Sequence, residues 1–157
     1  MCLIIDANCF GSVFNINATQ HDRFVPVYNW LLYGHGGRLI YGGEKYKREV
    51  DFKTSQYRGI LGEIERKGRL RPLPDKDVDE RAAVIRAKVN DPDFDDEHIV
   101  ALVAISKCCV VCTDDKRSFP FLKRRDLYPR GVSPPKIYQT RRNADLCCAD
   151  HVVAVCR

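Results

Sequence analysis

The chain reads as an α/β protein built around a mainly parallel sheet, and three observations carry that reading. Short apolar runs alternate along the chain with stretches of helical periodicity, the order expected when helices cover a central sheet. Hydrophobic residues make up 45% and charged residues 30% of the sequence, an ordinary balance for a globular protein. Carboxylates collect at the ends of the apolar runs, where the functional groups of open α/β sheets gather. A length of 157 residues fits one domain over residues 1–157 with one core.

The elements follow in order. Residues 2–6 form a short apolar strand ending at Asp6, and residues 8–15 a short helix. Residues 24–33 are helix-like, with Pro26 tolerated near the start and Gly34, Gly36 and Gly37 stopping the helix. Residues 38–41 make a second strand. Residues 44–52 and 55–67 read as two helices, the second carrying Ile60, Leu61 and Ile64 and ending at Gly68. Residues 70–73 suit a short edge strand because of Pro72. Residues 79–89 form a helix with Val78, Ala82, Ile85 and Val89 on one face. The next helix covers residues 95–107 with Asp95 as its N-cap. Residues 108–113 are a buried strand, 132–135 a loop and 136–138 the last strand.

Nothing at the amino terminus resembles the basic start and apolar stretch of a signal peptide. No run approaches the roughly 18 apolar residues of a membrane helix. A cytoplasmic protein without a membrane partner is expected. The eight cysteines then read as reduced, small core residues, Cys2 and Cys9 included. Cys109 and Cys112 lie three apart in a strand and point to opposite faces. Neither they nor the adjacent Cys147 and Cys148 belong to a four-ligand zinc set.

Net charge is +5, and the basic residues are unevenly placed. Residues 116–142 hold nine bases (Lys116, Arg117, Lys123, Arg124, Arg125, Arg130, Lys136, Arg141, Arg142) and one acid, Asp126. This is either a solvated basic face or a phosphate-binding flank beside an acidic centre. Contacts to the phosphates of a polyanion are expected at Lys116, Arg117, Lys123, Arg124 and Arg125.

Four acidic clusters form that centre: Asp6; Glu44 and Glu49; Asp95, Asp96 and Glu97; Asp114 and Asp115. Singly each acid has a plain role, Asp95 as a cap, Glu97 facing water, Asp114 in a turn. Asp6 and Asp115 end two strands, and if these are parallel neighbours both carboxylates lie on one edge. Asp96 opens the helix before the second of those strands, in line with Ile99, Val100 and Val103 on the buried face. Gathered carboxylates repel one another and raise each other's pKa. Mg2+ or Mn2+, hard cations that prefer oxygen, would relieve the repulsion and support hydrolysis of a phosphodiester. His21, His35, His98 and His151 lack metal-motif spacing, and no Gly-x-x-x-x-Gly-Lys loop is present.

Three segments resemble the PIN-domain nucleases: Ile5-Asp6-Ala7-Asn8, the run from Asp96 to Val103, and Val111-Cys112-Thr113-Asp114-Asp115. The resemblance keeps the family's order of elements over nearly the whole chain. It implies a three-layer α/β/α sandwich and metal-dependent cleavage of RNA. It also implies a possible toxin role with a small antitoxin protein as partner, and a possible homodimer. By position it makes Asp6, Asp96 and Asp115 metal-ligating or water-positioning acids, with Asp114 able to replace Asp115. It makes Thr113 part of the surrounding shell and places Asn8 near the metal. Glu49 is the favoured second acid and Glu44 the alternative. A related module that binds RNA or protein without cutting is the second expectation. Phosphotransfer domains of the haloacid-dehalogenase type are disfavoured, because they expect an Asp where Asn8 stands.

Overall fold

A computed structural model describes residues 2–34 and 36–147, with backbone only for residues 52–55. The second member of the Cys147–Cys148 pair, His35 and His151 lie outside the described residues. Five strands form one sheet: β1 (Cys2–Ile5), β2 (Arg38–Tyr41), β3 (Leu70–Pro72), β4 (Val110–Cys112) and β5 (Lys136–Tyr138). Their spatial order is β3-β2-β1-β4-β5, and every pairing is parallel. Helices flank this sheet in a three-layer α/β/α sandwich.

β1 is central and buried along its length, which explains why it reads as an unbroken apolar run and not as alternation. β3 holds one edge, where Pro72 removes no ladder donor that an outer neighbour would need. The chain steps outward from β1 to β2 to β3, then returns to lay β4 on the other side of β1. Connections therefore diverge between β1 and β4, and a crevice opens at the carboxyl ends of these two strands.

The helices are α1 (Phe10–Phe14), α2 (His21–Leu32), α3 (Glu44–Thr54), α4 (Arg58–Arg66), α5 (Asp75–Lys88), α6 (Glu97–Ser106) and α7 (Phe119–Leu122). Several ends differ from the sequence-based expectation. α2 starts three residues earlier than the apolar pattern suggests, so Pro26 lies inside the helix and not in its first turn. The segment expected as one helix at 8–15 splits into a 3-10 turn over Ala7–Cys9 and α1. α5 starts at Asp75, and Val78, Ile85 and Val89 are buried as the periodicity implied. α6 is shorter than 95–107: Asp96, not Asp95, occupies its N-cap position. It ends at Lys107, whose φ of 58° is left-handed. α6 is apolar nearly all round, with Ile99 to Ala104 buried beneath α5 and over β1 and β2.

The turn from β2 into α3 depends on Gly43. Its φ is +82°, and a Cβ there would lie 2.6 Å from Val78 Cγ1. The Asp75 carboxylate accepts from Gly43 N at 2.8 Å, and Asp79 accepts from Glu44 N at 3.0 Å. α5 thus caps the start of α3.

Cys9, Cys108, Cys109 and Cys112 carry free thiols, but Cys2 is disulfide-bonded. The expectation that every cysteine is reduced fails at that residue: burial alone does not distinguish a small core thiol from one that has found a partner in space. Among the described residues, no helix is long and apolar enough to cross a membrane.

Candidate active site

Asp6 leaves β1 directly at the crevice and is only 4% exposed. A carboxylate so buried needs partners, and local structure supplies them. Asp6 is the N-cap of the 3-10 turn, where its Oδ1 accepts from Asn8 N at 2.9 Å. Its Oδ2 accepts from Thr113 Oγ1 at 2.8 Å. The Asn8 contribution is thus its backbone amide, while its side chain is exposed. Thr113 follows β4, the parallel neighbour of β1, and is held by donation from its own amide to Tyr138 O on β5. Its hydroxyl also accepts from Asp115 N at 3.2 Å. One hydroxyl therefore joins the two acids across the crevice. Beneath them the buried Tyr46 donates to Ile5 O at 2.7 Å and fixes the end of β1. Burial and the nearby Asp6 charge push the Tyr46 phenol well above its ordinary pKa.

Asp96 stands at the N-cap position of α6, yet its side chain makes no capping bond. Its carboxyl is pushed up to about 7 by burial first, then by the charges of Asp6, Asp95 and Asp115, against a lowering contribution from His98. Asp6, Asp96 and Asp115 thus share one electrostatic environment, as neighbouring carboxylates do when none neutralises another.

Asp115 is handled differently. The Arg117 guanidinium binds both its oxygens, Nε to Oδ1 at 3.0 Å and Nη2 to Oδ2 at 2.6 Å, and Arg117 N adds a third bond at 2.9 Å. This fork holds Asp115 below the usual carboxylate range. Asp114 turns the other way, with its Oδ1 3.5 Å from Cys9 Sγ and its Oδ2 4.0 Å from Arg23 Nη1.

Of the two glutamates on α3, Glu49 lies on the side of Asp96. Its Oε2 is 3.3 Å from Nε2 of the buried His98, two residues along from Asp96. Glu44 is exposed at the start of α3 and lines a separate depression with Lys45, Asp79 and Glu97. Glu97 is not a solvent-facing residue: its side chain is 15% exposed and pairs with Lys45 Nζ at 2.9 Å. Lys45 also donates to Asp95 O. Asp95 is exposed and is not the cap of α6.

Not all of the basic flank faces this site. Arg124 is forked onto Asp126, and Arg125 donates to the carbonyls of Tyr128 and Pro129. Lys123 lines a depression with Lys136, and Lys116 is exposed beyond β4. Sequence reading set His98 aside for lack of metal-motif spacing and did not single out Tyr46 or Arg23. His98 adjoins an acid already singled out, and Tyr46 lies one helical turn before Glu49, so both carried a positional signal. Arg23 carried none.

The donors are all carboxylate oxygens, which suits a hard divalent cation. The Asp96 carboxyl is raised first by burial and then by the charges of Asp6, Asp95 and Asp115, and a cation would relieve the second of these. Among the described residues, however, no three His, Cys, Asp or Glu side chains stand close enough together to hold a metal ion. Asp115 is forked by Arg117, and both Asp6 oxygens accept protein hydrogen bonds. No protein-family model matches this chain, and no curated protein and no solved structure shows a significant match to it.

Proposed function

We propose that this protein is a PIN-like ribonuclease that hydrolyses RNA phosphodiester bonds with Mg2+ or Mn2+. The observation that carries the proposal is the position of Asp96. Its carboxyl is displaced to about 7 by burial and by Asp6, Asp95 and Asp115, beyond the carboxyl ends of β1 and β4, where the strand order reverses. Structural carboxylates are usually paired or capping, and Asp96 does no capping. As they stand, Asp6, Asp96 and Asp115 are not close enough together to hold a cation; in the reaction they would draw together on one, which would supply charge neutralisation for them and for the phosphate under attack. Thr113 and the Asn8 amide orient Asp6. His98 orients Glu49. Arg117 would release Asp115 to the cation and remain beside it to meet a phosphate.

Purified protein is expected to degrade single-stranded RNA with Mn2+ or Mg2+ and to stop when a chelator is added. Asp6→Asn and Asp96→Asn should each abolish cleavage while leaving the circular dichroism spectrum unchanged. Activity that persists in both variants sinks the assignment.

The fork of Arg117 on Asp115 favours a second reading, a PIN-like module that binds RNA or a protein partner without cutting it. It predicts RNA binding that needs no metal, and no cleavage even in Arg117→Ala.

A further inference from the structure

Beyond the end of β5 the chain enters a 3-10 helix, Arg141–Leu146. Thr140 caps it: its Oγ1 accepts from Arg142 N at 3.2 Å, and the Asn143 side-chain oxygen accepts from Gln139 N and Thr140 N. Arg141 and Arg142 therefore project from a backbone that is fixed on both sides. Opposite them, α2 presents Arg23. Its Nη1 donates to Gln20 Oε1 at 2.8 Å and its Nη2 to Gln139 O at 3.0 Å, so this guanidinium is anchored to the end of β5. Together Asp22, Arg23, Thr140, Arg141 and Arg142 line a cleft of about 600 Å³.

Two features say what this cleft would take. First, it lies on the same carboxyl edge of the sheet as the acids. β5 adjoins β4, Thr113 N donates to Tyr138 O, and Arg23 Nη1 is 4.0 Å from Asp114 Oδ2. Second, its lining among the described residues includes three arginines beside the single acid Asp22. Guanidinium forks suit phosphate oxygens.

We infer that the cleft formed by Arg23, Thr140, Arg141 and Arg142 is the subsite that carries the sugar-phosphate backbone of the RNA strand away from the acidic centre. The choice of RNA rests on the ribonuclease reading. The subsite itself is distinct from the flank at Lys123, Arg124 and Arg125; Arg23 braces its wall through Gln20 and Gln139, and the exposed Arg141 and Arg142 are the cations it offers to phosphate.

The test uses the full chain in the Asp6→Asn background with chelator present, so that no cleavage enters the measurement. Binding of a fluorescein-labelled oligouridylate is followed by anisotropy across a salt series. Each phosphate contact on a single strand contributes about 0.7 to the slope of log K against log salt, so Arg141→Gln with Arg142→Gln should lower that slope by about 1.4. The Arg141→Lys, Arg142→Lys pair should restore the slope, which separates charge from fold. Arg66→Gln, exposed at the end of α4 on the opposite edge of the sheet, should leave it unchanged. An unchanged slope in the double Gln variant overturns the inference. So does absence of oligouridylate binding at low salt, or displacement of the RNA by polyglutamate at equal charge concentration, which would assign the cleft to an acidic protein partner. Failure of the nuclease assignment alone would show as absent cleavage with these binding results intact.

Discussion

Replacing Asp96 by Asn removes an ionisable group and keeps the shape of the side chain, so its effect on stability reads the electrostatics of the crevice. In the unfolded chain this carboxyl releases its proton near 3.8; in the folded chain it does so at about 7. Below the lower value both states are protonated and Asp96 contributes no penalty. Between the two values the unfolded state binds fewer protons, so stability falls as pH rises. Above pH 7 the penalty is complete. At about 1.36 kcal/mol per unit, the displacement amounts to on the order of 4 kcal/mol. Urea denaturation followed by circular dichroism at a series of pH values is the assay. Asp96→Asn should be more stable than the parent at pH 8, by an amount that shrinks towards zero near pH 4. Saturating Mn2+ should stabilise the parent, by about 2.7 kcal/mol at a hundredfold excess over Kd, and the variant much less. A stability difference that is the same at every pH, or one that grows as pH falls, refutes the argument.

Other consequences are sharper at single contacts. Thr113→Val removes the donor to Asp6 Oδ2 and the acceptor for Asp115 N. It should cost about 1–3 kcal/mol by thermal or urea unfolding, because a buried carboxylate oxygen loses its partner; an unchanged midpoint would mean the bond is not made in solution. Arg117→Ala should let the Asp115 carboxyl rise towards its ordinary range in a carbon-13 NMR titration, and should strengthen Mn2+ binding by calorimetry if the guanidinium competes with the cation. Tyr46→Phe deletes the bond to Ile5 O and should destabilise the fold by about 1 kcal/mol or more, with the larger part of any activity loss in kcat rather than KM. Reversing Lys123 alone should weaken RNA binding less than neutralising Arg141 and Arg142 together, as read by the same anisotropy titration.

The alternation of apolar runs was legible because a strand covered by helices on both faces must be apolar throughout. β1 and β2 accordingly lie where such runs were read, to within a residue. Helix starts were less legible. α2 and α5 begin at the polar residues His21 and Asp75, before the apolar period starts; His21 is buried, but one buried polar side chain adds nothing to an apolar period. The disulfide at Cys2 was not legible at all, since pairing depends on spatial neighbours.

For the site, the sequence by itself determined which carboxylates stand at the ends of elements: Asp6 after β1, Asp96 before α6, and Asp114 with Asp115 after β4. Local chemistry sets these positions, because strands end and helices begin where polar side chains can take up backbone donors. Which of them meet follows from tertiary packing. Laying β4 against β1 brings Thr113 onto Asp6 and the packing of α2 brings Arg23 towards Asp114, while α6 against α3 sets Glu49 rather than Glu44 beside His98; the fork of Arg117 on Asp115 is local, two residues along the chain. Charge is written into the residue, but pairing follows from distance, and distance across a parallel sheet is set by strand order.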